Sequence, residues 1–561
     1  MANAFLEGLR AGRYPLSELD DKVRRILRVI FACGMKDPQR KQGAQHPPEH
    51  LQVARRVAEE GVVLLQNKEG QLPWDAARIK TLAVIGDNAM RRHCQGGGSS
   101  GVKAVYEVTP WEGLQKKLGD RVRLVHTQGY PEAAKSLPQI PDAYLSTVDA
   151  GSGIKGWRVE WNNFHEFEGP TLAVEYRDKV SLRIQEGEFV HEGLRRDWWA
   201  TRWTAELTVP ETGRYTFALN TDFWGRLYLD DRELIAFKAN KDLVLHQAEV
   251  ELVQGQKLRL KIEYGHSTEE ALLEFGWFLP GQVIPEPGES REAALALARE
   301  ADAVLVVGGL NHFHDNEGMD RESYVLPGGQ DELISEIAQV NANTVVLLIG
   351  GSAHAMPWAE QVKAIVLGGY AGSDAGTVFA ELLFGGVNPS GKLTYTVARR
   401  LEDYPSRALD DYDKDICHYK EGVLVGYRWF DAKGIEPLFP FGHGLSYSSF
   451  EFLDPRVECE EEEIRVAVKL RNSGSREGKE VVQLYLEDVE SSVPRPCREL
   501  KGFQKVELKP GEERELIFSL TRRDCSFWDE VTHAWKCEPG EFVAHLGNSS
   551  RHLPVRVKFK L

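Results

Sequence analysis

The chain has 561 residues, 27% of them charged, and a net charge of −16. That acidity argues against nucleic acid or an anionic membrane surface as a partner. No stretch approaches the ~20 apolar residues of a spanning helix. Seven cysteines, scattered and odd in number, make neither a disulfide framework nor a metal-ligand spacing. The length predicts three or four domains. No secretory leader precedes the first helical pattern, which leans the expected compartment towards the cytoplasm. The thirteen tryptophans suit a sugar-binding protein, whose aromatic faces stack on pyranose C–H surfaces.

Residues 4–30 read as helical, with Leu19, Val23, Ile26, Leu27 and Ile30 on one apolar stripe. Ser17 followed by Asp20 has the form of a capping box that restarts the helix after Pro15. A second helix is expected from Arg55 to Gln66, then a strand from Leu82 to Ile85 ending in Gly86-Asp87-Asn88. The loop QGGGSSG (Gln95 to Gly101) follows, but it matches neither GxGxxG nor GxxxxGK[ST], which disfavours a nucleotide site. Trp111 to Leu118 reads as a helix and Val122 to His126 as a strand.

From about Pro131 to Pro285 the apolar period becomes two, with turns at Glu211-Thr212-Gly213 and Asp230-Asp231. Strand–helix alternation resumes at Arg291, so this β-domain is an insertion into an α/β unit. The valine-rich run Ala303 to Val307, bounded by Gly308-Gly309, predicts a buried strand of a mainly parallel sheet. Helix Gln330 to Val340, strand Thr344 to Ile349, helix Met356 to Gln361, strand Ala364 to Leu367 and helix Asp374 to Phe384 are expected next. From Ser449 onward period two returns and fits an immunoglobulin-like sandwich.

The segment after Gly309 concentrates the chemistry. His312, His314, Asp315, Glu317, Asp320, Arg321 and Glu322 crowd a stretch too polar and glycine-broken for a helix. Ligands of open α/β sheets gather at loops leaving the carboxyl ends of strands. A solvated charged loop is the bland alternative. His312 and His314, with Asp315, suggest a zinc set, but no further cluster completes one, and lining a pocket or pairing with carboxylates suits them better; no metal is expected.

Several stretches together resemble glycoside hydrolase family 3, of the β-glucosidase type. They are ARRVAEEGVVLLQNKEGQLPW, LLFGGVNPSGKLTYT, EGVLVGYRWFD, PLFPFGHGLSYSSF, NSGSREGKEVVQLYLED and RPCRELKGFQKVELKPGE, in the family's order. The inserted β-domain is similar to PA14. The fold this implies is α/β plus all-β. Residues 1–36 would be the last helices of a (β/α)8 barrel otherwise missing, 37–131 and 286–400 an α/β sandwich with a mainly parallel sheet, and 132–285 the PA14-like insert. A linker at 401–447 would lead to a fibronectin-III-like β-sandwich at 448–561.

The implied activity is hydrolysis of terminal β-D-glucosyl residues with retention, on a β-glucoside or oligosaccharide and without a cofactor. The family's nucleophilic aspartate lies in the barrel, so no residue here is assigned to it; a barrel-containing chain or a second copy of this chain is the implied partner. The motif NEGMDRE maps the acid/base onto Glu317, whose pKa burial or a neighbouring charge must raise. Asp315, Asp320 and Glu322 are its competitors. Trp198, Trp199, Trp203, Phe223 and Trp224 of the insert are candidate sugar platforms, with Trp224 and Trp198 the better placed for the leaving-group side, against a favoured core reading, while Trp203 reads as core. His314 would line the pocket. Asp230-Asp231 resembles the calcium-binding pair of lectin-like PA14 domains but fits a β-turn better. The GGGSS loop and Arg91-Arg92-His93 would face the barrel. A non-catalytic carbohydrate-binding or scaffolding protein is the alternative; a nucleotide-dependent enzyme is poorly supported.

Overall fold

The computed structural model describes residues 2–561 except 42, 45, 93, 95, 97, 102–103, 130–136, 149–155, 165, 168, 185–189, 239–244, 268–270, 283–287, 312–313, 316, 318–320, 322, 413–415 and 461–462. His312, Asp320, Glu322 and His93 thus lie outside the described residues. The chain divides into Met1–Val53 and Ala54–Leu561.

The first unit holds α1 (Ala2–Arg10) and α2 (Leu16–Ala32). Pro15 breaks the pattern, as its ring demands, and serves as the N-cap of α2 with no side-chain hydrogen bond. The expected Ser17–Asp20 capping box is therefore corrected: both residues already lie inside the helix. None of the side chains of α2 is buried, and Ile26, on the apolar stripe, is 61% exposed.

The second unit begins within α3 (Pro48–Gly61) and is built around a six-stranded sheet. Its strands are β1 (Val63–Asn67), β2 (Thr81–Ile85), β3 (Arg123–Thr127), β4 (Ala303–Gly309), β5 (Thr344–Ile349) and β6 (Ala364–Leu367). The order is β1-β6-β5-β4-β2-β3, parallel except for β1 against β6. Two expectations are corrected here. The helix expected to reach Gln66 ends at Gly61, because the run Val62 to Leu65 is apolar on both sides and is buried as a strand. Met356 to Gln361 is a turn tied by Ala359 N–H to Met356 O (3.0 Å) and Gln361 N–H to Trp358 O (2.8 Å). Its Pro357 and six-residue length give a helix too little to propagate.

Alternate residues of the sheet build two cores. Leu82, Val84, Leu305 and Leu347 meet α4 (Pro110–Leu118) and α7 (Ala375–Leu383) on one face. Ala83, Ile85, Val306 and Leu348 meet α5 (Gly288–Glu300) and α6 (Gln330–Val340) on the other. The helices α4 and α7 cross backbone to backbone: a Cβ at Gly113 would stand 2.0 Å from the Gly376 carbonyl oxygen.

Between β3 and α5 lies a sandwich of a seven-stranded and a four-stranded antiparallel sheet. Trp157, Trp161, Trp199 and Trp203 fill its core with Phe217 and Phe275, and the Trp157 and Phe275 rings meet edge to face across the layers at 5.5 Å. Asp230-Asp231 joins the strands Trp224–Leu229 and Arg232–Phe237, with Asp230 left-handed (φ 54°) and its carboxylate accepting from Arg259 N–H (2.8 Å). The C-terminal sandwich has a three-stranded and a four-stranded sheet over one core. The linker before it is tied to β1: Leu445 N–H donates to Leu64 O and a His443 ring nitrogen meets Leu65 O, both at 2.8 Å.

Candidate active site

The polar segment between β4 and α6 stands at the carboxyl end of the parallel sheet, beside the loops that leave β2, β5 and β6. Its start is set by backbone. Gly309 ends β4 at φ +108°, and a Cβ there would lie 2.0 Å from the Ile349 carbonyl oxygen. No side chain fits, and the chain turns off the sheet. Asn311 O then accepts from the N–H groups of His314 (2.9 Å) and Asp315 (3.0 Å). His314 is half-buried, and Glu317 is exposed.

Glu317 accepts a hydrogen bond from the backbone N–H of Ser99 in the glycine-rich loop after β2. The Ser99 side chain and N–H together hold the Glu317 carboxyl below the ordinary glutamate range. A general acid needs the opposite shift: among the described residues none buries the carboxyl or sets a negative charge against it, and two donors favour the ionised form.

Asp315 is held through one carboxylate oxygen. Its Oδ2 accepts from Gly351 N–H (2.8 Å) and from the Tyr370 hydroxyl (3.0 Å). Arg321 donates to Ala353 O at 2.5 Å. Beneath them His354 is 1% exposed, with a ring nitrogen 3.3 Å from Ser352 O. Among the described residues, His354 Nε2 and Arg321 Nη1 are buried without a hydrogen-bond partner. Burial pushes His354 from 6.5 down to about 4, with Arg321 lowering it further and Asp315 opposing. The same burial raises Tyr324, and raises Tyr395 to about 12.

Because the folded pKa of His354 is depressed, the unfolded chain takes up the proton first. Stability is complete above about pH 6.5, falls as the pH drops towards about 4 and levels off below. Urea unfolding at pH 7 and pH 4.5 is expected to show His354→Asn losing less stability on acidification than the parent. The difference should be about 2 kcal/mol; equal losses would contradict it.

The aromatic candidates of the insert separate cleanly. Trp198 is 46% exposed and stands edge to face with Phe223, centroids 6.2 Å apart. Trp224 is only 8% exposed, with the Arg226 guanidinium 5.2 Å from its ring centre. Its burial favours the core reading over an open platform. Trp203 is fully buried. Arg91 of the Arg91-Arg92-His93 run pairs with Asp87. Among the described residues no His, Cys, Asp and Glu cluster could hold a metal ion, and no helix is long and apolar enough to cross a membrane. Sequence reasoning passed over Tyr370 and His354, and singled out the GGGSS loop without giving Ser99 a role. The faint signal for Tyr370 was position, since it follows a glycine pair just beyond a strand.

Residues 62–447 match the C-terminal domain of glycosyl hydrolase family 3, and residues 480–550 match a fibronectin type III-like domain. The chain is 31% identical to probable β-glucosidase K of Emericella nidulans, over 96% of this chain and 65% of that protein. It is 30% identical to a β-glucosidase of Bacteroides ovatus, over 100% of this chain and 58% of that one. It thus spans less than two thirds of the length of either. The fold is similar to that of the Kluyveromyces marxianus β-glucosidase crystallised with glucose (TM-score 0.70, 28% identity, 98% of this chain and 68% of that one). It is likewise similar to a Streptomyces venezuelae β-glucosidase with D-glucose (0.71, 28%, 100% and 66%). With the parallel sheet, its carboxyl-end acidic loop and the terminal sandwich in this order, the chain belongs to glycoside hydrolase family 3.

Proposed function

We propose that this chain acts in a retaining β-glucosidase, contributing Glu317 as the acid/base, while the nucleophile comes from a (β/α)8 barrel. The observation that carries this reading is the seat of Glu317: a carboxylate on the loop leaving β4, exposed and held by Ser99. In such a mechanism two carboxyl groups stand ~5–5.5 Å apart; one attacks the anomeric carbon as the other protonates the departing oxygen and later takes a proton from water. An exposed, ionised Glu317 cannot donate a proton. A sugar and a second carboxylate laid over it would desolvate it and add negative charge, and both raise its pKa.

A covering domain also suits the exposed apolar residues near these loops, Met90 and Val105 after β2 and Val325 before α6. It suits the bare stripe of α2 as well. The barrel is then supplied by the same polypeptide, by a separate barrel-bearing chain or by a second copy of a chain that carries one. We read the inserted sandwich as a PA14-type module whose Trp198–Phe223 pair meets the leaving-group side of a β-glucoside. The second reading, carbohydrate binding without catalysis, is favoured by the low pKa of Glu317 and by that same exposed pair.

Hydrolysis of an aryl β-glucoside distinguishes them. The chain alone should turn over little substrate, because a general acid by itself contributes only ~10²–10⁴-fold. Co-expression with a barrel fragment of the family should restore turnover. Glucoside binding with no turnover in either preparation supports the second reading, and robust turnover by the chain alone overturns the division of labour.

A further inference from the structure

A general acid works only if its carboxyl is held in place, and a misplacement of ~1 Å can cost about 10²-fold. Glu317 sits mid-way along the segment 310–329, so something other than secondary structure must hold it. Both arms of this loop are sewn to one extended stretch after β5. On the near arm, Asp315 accepts from Gly351 N–H (2.8 Å). On the far arm, Arg321 donates to Ala353 O (2.5 Å), and Ala355 N–H donates to Tyr324 O (2.8 Å).

Tyr370, just beyond β6, joins this seam to the other side of the site. Its hydroxyl reaches Asp315 at 3.0 Å. Its ring lies against two glycines: a Cβ on Gly351 would stand 3.3 Å from it and one on Gly96 3.2 Å. Gly96 belongs to the loop that carries Ser99, the donor to Glu317. One side chain therefore touches both the loop that bears the carboxylate and the loop that bears its donor.

We propose that Tyr370, acting through Asp315, is a positioning residue that sets Glu317 against Ser99. This rests on the acid/base reading of Glu317 for its consequence in catalysis, but the placement itself is measurable without turnover. The competing account makes Tyr370 ordinary packing, whose loss lowers stability and nothing specific to Glu317.

Two readouts test it. In the full chain carrying isotope-labelled serine, the Ser99 amide proton should resonate downfield because it donates to a carboxylate. Glu317→Gln should move it upfield, and Tyr370→Phe, which removes only the hydroxyl, should move it in the same direction. Asp315→Ala should repeat that effect, whereas Asp315→Asn, still able to accept, should largely keep the parent signal. Thermal melting confirms that each variant is folded. A Ser99 amide unchanged in both Tyr370→Phe and Asp315→Ala overturns the proposal.

With the barrel partner present, Tyr370→Phe should lower kcat on an alkyl glucoside by roughly 10- to 100-fold. The comparison is read in kcat/KM, which reports the glycosylation step alone: it should fall by the same factor for the alkyl glucoside and change little for a dinitrophenyl glucoside, since that leaving group needs no proton. Equal losses on the two substrates overturn the catalytic consequence. If Glu317→Gln itself leaves alkyl glucoside hydrolysis intact, the acid/base reading fails, and the amide signal alone then decides the placement.

Discussion

Glu317→Gln is expected to lower kcat/KM for an alkyl β-glucoside by about 10²–10⁴-fold in the assembled enzyme, the range a positioned general acid supplies. The loss should track the leaving group. Alkoxides of high pKa depart only when protonated, so their glycosylation step suffers most. Phenols activated by nitro groups depart unaided, and with them the slow step becomes hydrolysis of the glycosyl-enzyme, for which the same carboxylate acts as base. Added azide should replace water in that second step and rescue it. Glu322→Gln, five residues further on, should act through loop geometry alone and cost less. Near-native rates on an alkyl glucoside for Glu317→Gln, with loss in Glu322→Gln, would move the assignment within the loop.

The second large effect lies in the insert. Trp203 is fully buried, donates its indole N–H to Thr201 Oγ1 (2.9 Å) and stands 5.7 Å from the Arg177 guanidinium, which lies equally close to Trp161. Truncation to alanine removes the ring, leaves a cavity and strips one face from a half-buried cation. The expected loss is about 3–5 kcal/mol, or roughly 10–20 °C in the transition of the insert. Calorimetry should show that transition move while those of the other domains stay. Trp203→Phe should recover much of the loss. A shift of only a degree or two in Trp203→Ala would mean that the layers can close over the gap.

What the sequence made legible follows from how many constraints act on each residue. Thr344–Ile349 and Ala364–Leu367 emerged with the boundaries expected of them because both are buried on two faces, and every position after the hydrogen-bonded Thr344 is apolar. The run Val62 to Leu65 follows a helix without a break, and only its pairing with β6 decides that it is a strand. The acidic loop stood out by contrast with the glycines and valines before it. Its supports did not, because Ser99 lies 218 residues from Glu317 and Tyr370 lies 55 from Asp315, and no local pattern links them. Trp198 and Trp224 flank comparable turns. The left-handed backbone of Trp198 (φ 61°) leaves its ring half exposed, while Trp224 begins a strand and turns inward.

The sheet's connectivity sets a timetable for synthesis. Val63 pairs with Leu367, and β2 pairs with β4 across the entire insert. At ~5–20 residues per second, the roughly 300 residues separating Val63 from its partner take about 15–60 s to leave the ribosome. Until then β1 has no strand to pair with, and before β4 emerges β2 has only β3 beside it, while the insert, whose strands pair among themselves, can close as soon as it emerges. The nascent chain therefore carries a finished domain in the middle of an unfinished one, and for that interval β1 waits without its partner.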